Sequence, residues 1–541
     1  MSGRPLLLLP AFRNGSDGSA GERYGFESPS VLCRKNKNQN KKRVKSLSSQ
    51  GSIPNLVRSR SGKPHVYEAG PRGRFFVFCR LKRGYFSAIL LRYGEYELAL
   101  VVLHPGKIMR WNNLNLYCSA MDVFEIEGGK MLSGEIAVSG SKNATTPILA
   151  ATLLSTETCV ITNVPRIEDV FRMLEILEGL GAEVVWKDER TVAVTARDID
   201  PKRLDAHLVK RLRSSILCLG SLSARFDLFE FYYPGGCSIG ARPIDTHFDA
   251  FAKMGVAIVS DGEKQYRIDA TKRVAGTVVL KEFSVTATEN AMLLAAALPG
   301  KTIIKMAAAE PHVQDLGIFL SKMGAKVSGL GTHTIEIEGG QLGGAEHSII
   351  PDANEAATFL TLGAATLSDI TVVNARIENL EAVIEKLLEF GVGIEVLDEN
   401  RIRVFPRAPL VTPGKVKPEL YPGIPTDTQS LFGVLAAVSE GETLIHDHFY
   451  EGRFNYIPEL EKMGVRAKVL NPHQAEIVGG EKLRGTTIKS FDLRAGAALI
   501  IAALSAQGKT TIEEIYQVDR GYERIEERLQ KLGADIKRVD R

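Results

Sequence analysis

The sequence predicts an α/β fold made of six small βαβ-type units of about 70 residues each. A Gly-Ala or Gly-Val step recurs six times after residue 121, at intervals of 74, 69, 67, 73 and 69 residues. The steps begin at Gly181, Gly255, Gly324, Gly391, Gly464 and Gly533. An amphipathic helix pattern precedes each step, and a β-like run follows it. This regular alternation indicates one repeated structural unit rather than unrelated segments.

The stretch before the first step shows the helix pattern most clearly. In VFRMLEILEGLGAEV, apolar side chains recur at the i, i+3, i+4 and i+7 positions of one helix face. These side chains are Val170, Met173, Leu174 and Leu177. A glycine suits the end of such a helix, because a left-handed residue there has no Cβ to clash. Six mixed units suggest three units on each side of a cleft, since ligands favour domain interfaces.

The first 120 residues differ from the rest in charge. They hold 21 Lys and Arg against 6 Asp and Glu, whereas the remainder holds 47 against 58. The run RKNKNQNKKRVK, with the Gly, Ser and Asn around it, predicts a disordered arm over residues 1–60. Residues 75–103 are more apolar and are compatible with short strands or a helix. We interpret residues 1–120 as a basic leader, disordered or translated from an early start codon, and expect the folded protein to begin at Met121.

Several classes of function are disfavoured by the sequence. The acidic body argues against nucleic acid as its main partner. The sequence contains no run of 18 or more apolar residues, so no membrane span is predicted. The six cysteines form no CxxC pair, which predicts reduced thiols of a cytoplasmic protein. The motifs GxxxxGK[ST], HExxH and GxSxG are absent, which argues against a P-loop hydrolase, a zinc protease and a serine hydrolase.

A glycine-rich polar segment, YYPGGCSIGARPIDTHFDAF, is the first candidate for chemistry. Cys237 lies among its small residues, and Arg242 follows five positions later. A nearby positive charge favours a thiolate. From the residues alone, Cys237 is either a reactive thiol or a small buried side chain in a turn.

Further candidates lie at helix starts in other units. SGSKN places Lys142 and Asn143 before an apolar helix, where backbone N–H groups and a cation can hold an anion. Asp427 follows two prolines in YPGIPTDTQ, so a stiff turn fixes its direction. Arginines occupy similar places: Arg213 in KRLRSSI, Arg494 in FDLRAG and Arg520 in VDRGYER. Each residue alone is more often a helix cap or a solvated charge, but together they would gather cations around a doubly anionic ligand.

The ordered motifs resemble those of the UDP-N-acetylglucosamine enolpyruvyl transferases. GSKNA, LRSSI, PGGCSIGARPIDTH, PTDTQ, EGRFNYIPELEKMG, DLRAGAALI and DRGYERIEERL occur in the order and spacing typical of that family. The resemblance runs from about Met121 to Arg541 and implies two inside-out α/β barrel domains of three repeats each, with the active site between them. One domain would cover residues 142–351, and the other would combine residues 121–141 with 352–541.

The resemblance also implies a reaction and its catalytic residues. The enolpyruvyl group of phosphoenolpyruvate would move to the 3′-hydroxyl of UDP-N-acetylglucosamine with release of phosphate, as the first committed step of peptidoglycan synthesis. Cys237 matches the general acid, which can also attach covalently to phosphoenolpyruvate, and Asp427 matches the base. Lys142 and Arg520 complete the catalytic set. No metal or other cofactor is implied, and the oligomeric state is left open.

By the same match, a larger set of residues binds the two substrates. The set is Lys142, Asn143, Arg213, Arg242, Pro243, Ile244, Asp245, Thr246, Ser284, Val285, Asp427, Phe449 and Arg494. The chain departs from the family pattern near the nucleotide, where Thr286 replaces a glycine and Glu282 stands where a lysine is frequent. Ala309 and His312 likewise replace charged residues.

Two alternatives remain beside the leading interpretation. A shikimate-pathway enolpyruvyl transferase shares the fold, but the cysteine loop PGGCSIGARP is typical of the UDP-sugar enzymes. A catalytically silent paralogue that binds UDP-N-acetylglucosamine would fit the departures near the nucleotide.

Overall fold

A computed structural model gives the three-dimensional structure of the chain. It describes residues 122–235, 240, 243–262 and 265–540, together with five strands between residues 66 and 110. The chain divides into two compact units, residues 1–114 and residues 115–541. The predicted disordered arm, residues 1–60, lies outside the described residues.

In the first unit, the described strands form a two-stranded and a three-stranded antiparallel sheet. The strands are β1 (Val66–Ala69), β2 (Arg74–Val77), β3 (Ser87–Tyr93), β4 (Glu97–His104) and β5 (Lys107–Arg110). The sequence of residues 75–103 was compatible with short strands or a helix. The described part of this stretch forms strands, and it contains β3 and most of β4.

The described part of the second unit alternates strands and helices along its whole length. Its strands are β6 (Val123–Glu127), β7 (Ser133–Ala137), β8 (Thr158–Thr162), β9 (Glu183–Trp186), β10 (Val192–Thr195), β11 (Leu228–Tyr232), β12 (Ala257–Ser260), β13 (Gln265–Asp269), β14 (Thr277–Val279), β15 (Gly300–Lys305), β16 (Lys326–Ser328), β17 (Thr334–Gly339), β18 (Glu346–Ser348), β19 (Asp369–Val373), β20 (Gly393–Asp398), β21 (Arg401–Phe405), β22 (Lys415–Val416), β23 (Glu442–His446), β24 (Arg466–Asn471), β25 (Gln474–Val478), β26 (Thr487–Lys489), β27 (Lys509–Glu513) and β28 (Asp535–Val539). Its α-helices are α1 (Lys142–Ala151), α2 (Glu168–Leu180), α3 (Ala206–Arg211), α4 (Cys218–Arg225), α5 (Asp245–Lys253), α6 (Val285–Ala297), α7 (Pro311–Met323), α8 (Ala353–Ala365), α9 (Glu381–Glu389), α10 (Gln429–Val438), α11 (Ile457–Lys462), α12 (Leu493–Ser505), α13 (Tyr516–Asp519) and α14 (Ile525–Lys531). Short 3-10 helices cover Thr152–Leu154, Pro201–Arg203, Arg213–Leu217, Ile377–Asn379 and Thr426–Thr428.

These strands form six small sheets, of which the five four-stranded sheets are mixed and the three-stranded sheet is antiparallel. Within the described part of residues 115–541, the strand orders are β18-β8-β10-β9, β11-β13-β12, β14-β15-β17-β16, β20-β21-β19-β7, β22-β23-β25-β24 and β26-β27-β6-β28. The four-stranded sheets each contain one parallel and two antiparallel pairings. The strand that follows each glycine step is an edge strand of its own sheet, so the sequence repeat corresponds to a repeated position in the fold.

The six step glycines all have a positive φ, between 77° and 122°. The prediction of a left-handed helix stop is therefore confirmed. At Gly255 the surroundings also exclude a side chain, because a Cβ there would lie 2.1 Å from the carbonyl oxygen of Lys272.

Apolar side chains separate into two cores. One core contains residues between 144 and 349, and the other contains residues between 124 and 138 together with residues between 356 and 536. The chain crosses between them twice, and the two crossings run side by side. The Ser141 backbone N–H donates to the Ile350 carbonyl at 2.7 Å, and the Asp352 N–H donates to the Ser139 carbonyl at 2.9 Å. No helix in the described part is long and apolar enough to cross a membrane.

Candidate active site

A cleft of about 730 Å³ lies between elements of the two cores. Its walls include helix starts and turns from both sides. Many of the residues selected from the sequence line it: Lys142, Asn143, Arg213, Pro243, Ser284, Val285, Asp427, Phe449, Arg494 and Arg520. The helical and turn positions that the sequence indicated in separate units therefore meet at one place.

Two of these cations meet on a single buried carboxylate, Asp169. The Lys142 Nζ lies 2.8 Å from Asp169 Oδ2, and the Arg520 Nε lies 3.0 Å from Asp169 Oδ1. Burial alone would raise the pKa of Asp169, but the charges of Lys142 and Arg520 outweigh it and lower that pKa. Asp169 and Lys142 belong to the 144–349 side of the chain and Arg520 to the other, so this ion cluster joins the two sides.

A second carboxylate, Asp427, is also shared by two cations. The Arg453 Nη2 donates to its Oδ1 at 2.6 Å, and the Arg494 Nε donates to its Oδ2 at 3.2 Å. Burial opposes ionisation, but the two guanidinium groups lower the pKa of Asp427 far below its usual range. Asp427 is therefore ionised at neutral pH.

Arg494 lines the cleft and retains unused hydrogen-bonding capacity. Its Nη1 donates to the Tyr522 hydroxyl at 3.3 Å, and its guanidinium lies 5.6 Å from the centre of that ring. Its Nη2 is buried and has no hydrogen-bond partner among the described residues. A buried guanidinium nitrogen with an unused proton is a strong donor for a carboxylate or phosphate oxygen.

Two helix N-termini open into the cleft. The Ser141 hydroxyl caps α1 by accepting from the Ala144 N–H at 3.3 Å, and Lys142 is the first residue of that helix. The Ser284 hydroxyl caps α6 by accepting from the Ala287 N–H at 3.3 Å. Backbone N–H groups at such helix starts favour bound anions.

Three further residues selected from the sequence are described but do not line the cleft. Ile244 is buried, Asp245 is exposed at the start of α5, and Thr246 donates its hydroxyl to Glu282 Oε1 at 2.8 Å. Thr246 contacts the cleft wall through Glu282, and none of the three lines the cleft itself. Cys237 and Arg242 lie outside the described residues.

Several charged residues of the cleft were not selected from the sequence, among them Asp169, Arg453 and Glu289. Asp169 resembles an ordinary acidic residue in the first turn of a helix, so nothing distinguished it. Arg453 belongs to the quoted motif EGRFNY, which was a usable signal. Glu289 carries the clearest signal, because a carboxyl one turn into a helix that continues as the apolar run AMLLAAA needs an explanation.

Glu289 is almost fully buried, at 1% exposure, in the cleft wall. Its Oε1 has no hydrogen-bond partner among the described residues. The neighbouring Thr288 hydroxyl accepts the Ala308 N–H at 3.0 Å, which brings α6 against the turn that contains Glu310. Burial, and then the charge of Glu310, raise the pKa of Glu289 well above its usual value.

The chain is similar to known proteins over most of its length. The family profile described as EPSP synthase (3-phosphoshikimate 1-carboxyvinyltransferase) matches residues 126–529. A UDP-N-acetylglucosamine 1-carboxyvinyltransferase of Finegoldia magna is 41% identical over 422 residues, which is 78% of this chain and 99% of that protein. The protein of the same name from Actinobacillus succinogenes is 42% identical over 420 residues, which is 77% of this chain and 99% of that protein.

Solved structures share the fold. The enolpyruvyl transferase NikO from Streptomyces tendae matches with a TM-score of 0.70 and 27% identity, over 78% of this chain and 99% of that one. An EPSP synthase from Acinetobacter baumannii matches with a TM-score of 0.61 and 20% identity, over 77% and 100% of the two chains. The mixed α/β architecture is that of these transferases.

We predict that Asp169→Asn is strongly destabilising, because it leaves the partly buried Lys142 and Arg520 side by side without a counter-charge. The free energy of unfolding should fall by about 3 kcal/mol, as for other buried pairs that lose one partner. Asp535→Asn is the control, because it breaks an exposed ion pair with Lys130 and should cost less than about 1 kcal/mol. Urea unfolding followed by circular dichroism measures both; equal effects would contradict the prediction.

We predict that Glu289 makes stability fall as pH rises. The unfolded chain releases the Glu289 proton near the ordinary value of 4.5, whereas the folded chain keeps it to higher pH. Glu289→Gln removes this difference, so the variant should gain in melting temperature over the parent between pH 5 and pH 8. A difference in melting temperature that does not change with pH would show that Glu289 ionises normally.

Proposed function

Because the chain belongs to the EPSP synthase family of carboxyvinyl transferases, we propose that it catalyses the reaction named for its UDP-N-acetylglucosamine relatives. It is an enolpyruvyl transferase that moves the enolpyruvyl group of phosphoenolpyruvate to the 3′-hydroxyl of UDP-N-acetylglucosamine, with release of phosphate. The observation that carries the proposal is the convergence of cations from both cores on Asp169 and Asp427 in one cleft. Such a site suits a doubly anionic substrate.

In this proposal, Lys142 and Arg520 hold phosphoenolpyruvate. Both now pair with Asp169, so an incoming phosphate or carboxylate would compete with that carboxylate for the same donors. Arg242 would add a third cation from the cysteine loop. Arg494 would contribute the unused proton on its Nη2. Cations fixed before the reaction stabilise charge as phosphate departs without having to reorganise.

Asp427 is the proposed base for the sugar hydroxyl. It is ionised, as a proton acceptor must be, but two guanidinium groups also make it a weak base. The proposal therefore requires Arg453 or Arg494 to turn toward a bound substrate, which would restore the basicity of Asp427. The start of α6, with Ser284 and Val285, and Asn143, Arg213, Pro243 and Phe449 would hold the nucleotide sugar.

Cys237 is the proposed general acid. Its proton would go to the methylene carbon of phosphoenolpyruvate while the 3′-oxygen bonds to the adjacent carbon and Asp427 takes the hydroxyl proton. Phosphate would then leave with the electrons of its C–O bond, and a proton lost from the new methyl group would restore the enol ether. Protons and electrons balance over the two steps without a metal or an oxidant.

The proposed architecture is two inside-out domains of three units. One would contain residues 142–351, and the other residues 121–141 with 352–541. The two separate cores and the paired crossings near residues 140 and 351 support this division. A cytoplasmic location belongs to the same proposal, and the free thiols of Cys159 and Cys218 are compatible with it.

The choice of acceptor tests the proposal directly. Phosphate release from phosphoenolpyruvate should require UDP-N-acetylglucosamine and should not be supported by shikimate 3-phosphate. The reverse preference would move the chain to the shikimate-pathway reaction. Binding of UDP-N-acetylglucosamine without any phosphate release would identify a silent paralogue.

Alkylation tests the role of Cys237. Burial raises the pKa of the Cys218 thiol to about 12 and also raises that of Cys159, so both should react poorly. A phosphonate epoxide that mimics phosphoenolpyruvate should therefore label mainly Cys237 in peptide mapping. Cys237→Asp should keep some turnover and resist labelling, whereas Cys237→Ala should lose nearly all turnover. Labelling mainly at Cys159 or Cys218, or an active Ala variant, would contradict the assignment.

A further inference from the structure

A buried carboxylate outside the cleft wall, Asp447, connects two segments that do line the cleft. Asp447 directly follows β23 and has no exposed surface. The Thr426 hydroxyl donates to its Oδ2 at 2.6 Å, and the Phe449 backbone N–H donates to its Oδ1 at 2.9 Å. One side chain therefore holds both the turn that carries Asp427 and the loop that begins at residue 448.

The backbone of Asp447 is held just as firmly. Its N–H donates to the His473 carbonyl at 2.9 Å, and its own carbonyl lies 2.9 Å from His473 Nδ1. His473 belongs to the hairpin between β24 and β25. The carboxylate is thus fixed to the sheet of β23 before it contacts either segment of the cleft.

The two segments that Asp447 joins carry different parts of the proposed reaction. The 3-10 turn Thr426–Thr428 presents Asp427, and its internal geometry is closed by the Thr428 hydroxyl, which donates to the Pro425 carbonyl at 2.8 Å. The loop from residue 448 to residue 453 presents Phe449 to the cleft and ends at Arg453, which binds Asp427.

Stability alone does not explain this arrangement. Among the described residues, no lysine or arginine forms an ion pair with Asp447, and its carboxylate is satisfied only by neutral donors. A buried carboxylate without a counter-charge costs free energy that an apolar residue would not. The two hydrogen bonds that Asp447 accepts instead fix the position of Thr426 relative to the Phe449 N–H.

We propose that Asp447 is a positioning residue. It keeps the Asp427 turn and the Phe449 loop in a fixed relative position, so that the bound sugar hydroxyl meets the Asp427 carboxylate. The inference rests on the proposed function for the identity of the ligand, but the coupling of the two segments does not. Asp447 acts through Thr426 on one side and through the Phe449 amide on the other.

The test compares variants that break one or both links. Thr426→Val keeps the shape of the side chain but removes the donor, so kcat should fall by about 10- to 100-fold while KM for UDP-N-acetylglucosamine changes less than about threefold. Thr426→Ser restores the hydroxyl and should recover most of kcat. Asp447→Asn offers only one acceptor oxygen, so it should lower kcat and also raise this KM.

Thr443→Val is the matched control. Thr443 is buried on β23, and its hydroxyl pairs with Thr412 rather than with Asp447. The control variant loses the same kind of group from the strand that leads to Asp447, and its kcat should stay within about twofold of the parent. Thr426→Val with the kcat of this control would overturn the proposal.

Hydrogen–deuterium exchange separates this inference from the proposed function. Exchange should rise over residues 424–430 in Thr426→Val, and over both 424–430 and 448–453 in Asp447→Asn. A parent enzyme that releases no phosphate would contradict the proposed reaction. The exchange result would still show whether Asp447 couples the two segments. Unchanged exchange in both segments would overturn the role of Asp447.

Discussion

The cleft is organised by two carboxylates that are each shared between two cations. Asp169 binds Lys142 and Arg520, which are separated by several hundred residues, and Asp427 binds Arg453 and Arg494. Four cations close together in a low-dielectric site would repel one another. The two carboxylates offset this repulsion in the absence of a ligand. They still leave donors that an anionic substrate can use.

The repeated fold explains how these charges come together. Each unit contributes a small sheet and helices, and several helix starts or turns open into the same cleft. Lys142 begins α1, Ser284 caps α6, and Asp492 caps α12 just before Arg494. Helix N-termini carry partial positive charge, so side-chain cations and backbone N–H groups act in the same direction on an anion. Acidic residues outnumber basic ones in the cleft lining as a whole, so the cations are concentrated around the Asp169 and Asp427 carboxylates.

The fold and part of the site were predictable because their signals are local. The glycine steps indicated where helices end. Lys142, Arg494 and Asp427 lie in motifs that place a charge at a helix start or a stiff turn. Asp169 was not predictable, since an acid in a first helical turn is common and its partner Arg520 is 351 residues away. Asp447 was hidden for the same reason: its two partners are a turn and a loop, and only the folded chain brings both to one carboxylate. Ile244, Asp245 and Thr246 were selected from a motif as a block, whereas side chains along a helix start point in different directions.

The cations around Asp169 and Asp427 serve the transfer of an enolpyruvyl group to a nucleotide sugar. Mass spectrometry of the nucleotide product, after incubation with phosphoenolpyruvate and UDP-N-acetylglucosamine, is the decisive measurement. We expect a nucleotide sugar that is heavier by one enolpyruvyl group in place of a hydrogen, with one phosphate released per product molecule. A nucleotide sugar of unchanged mass at saturating substrates, or phosphate released without a matching product, would contradict this role.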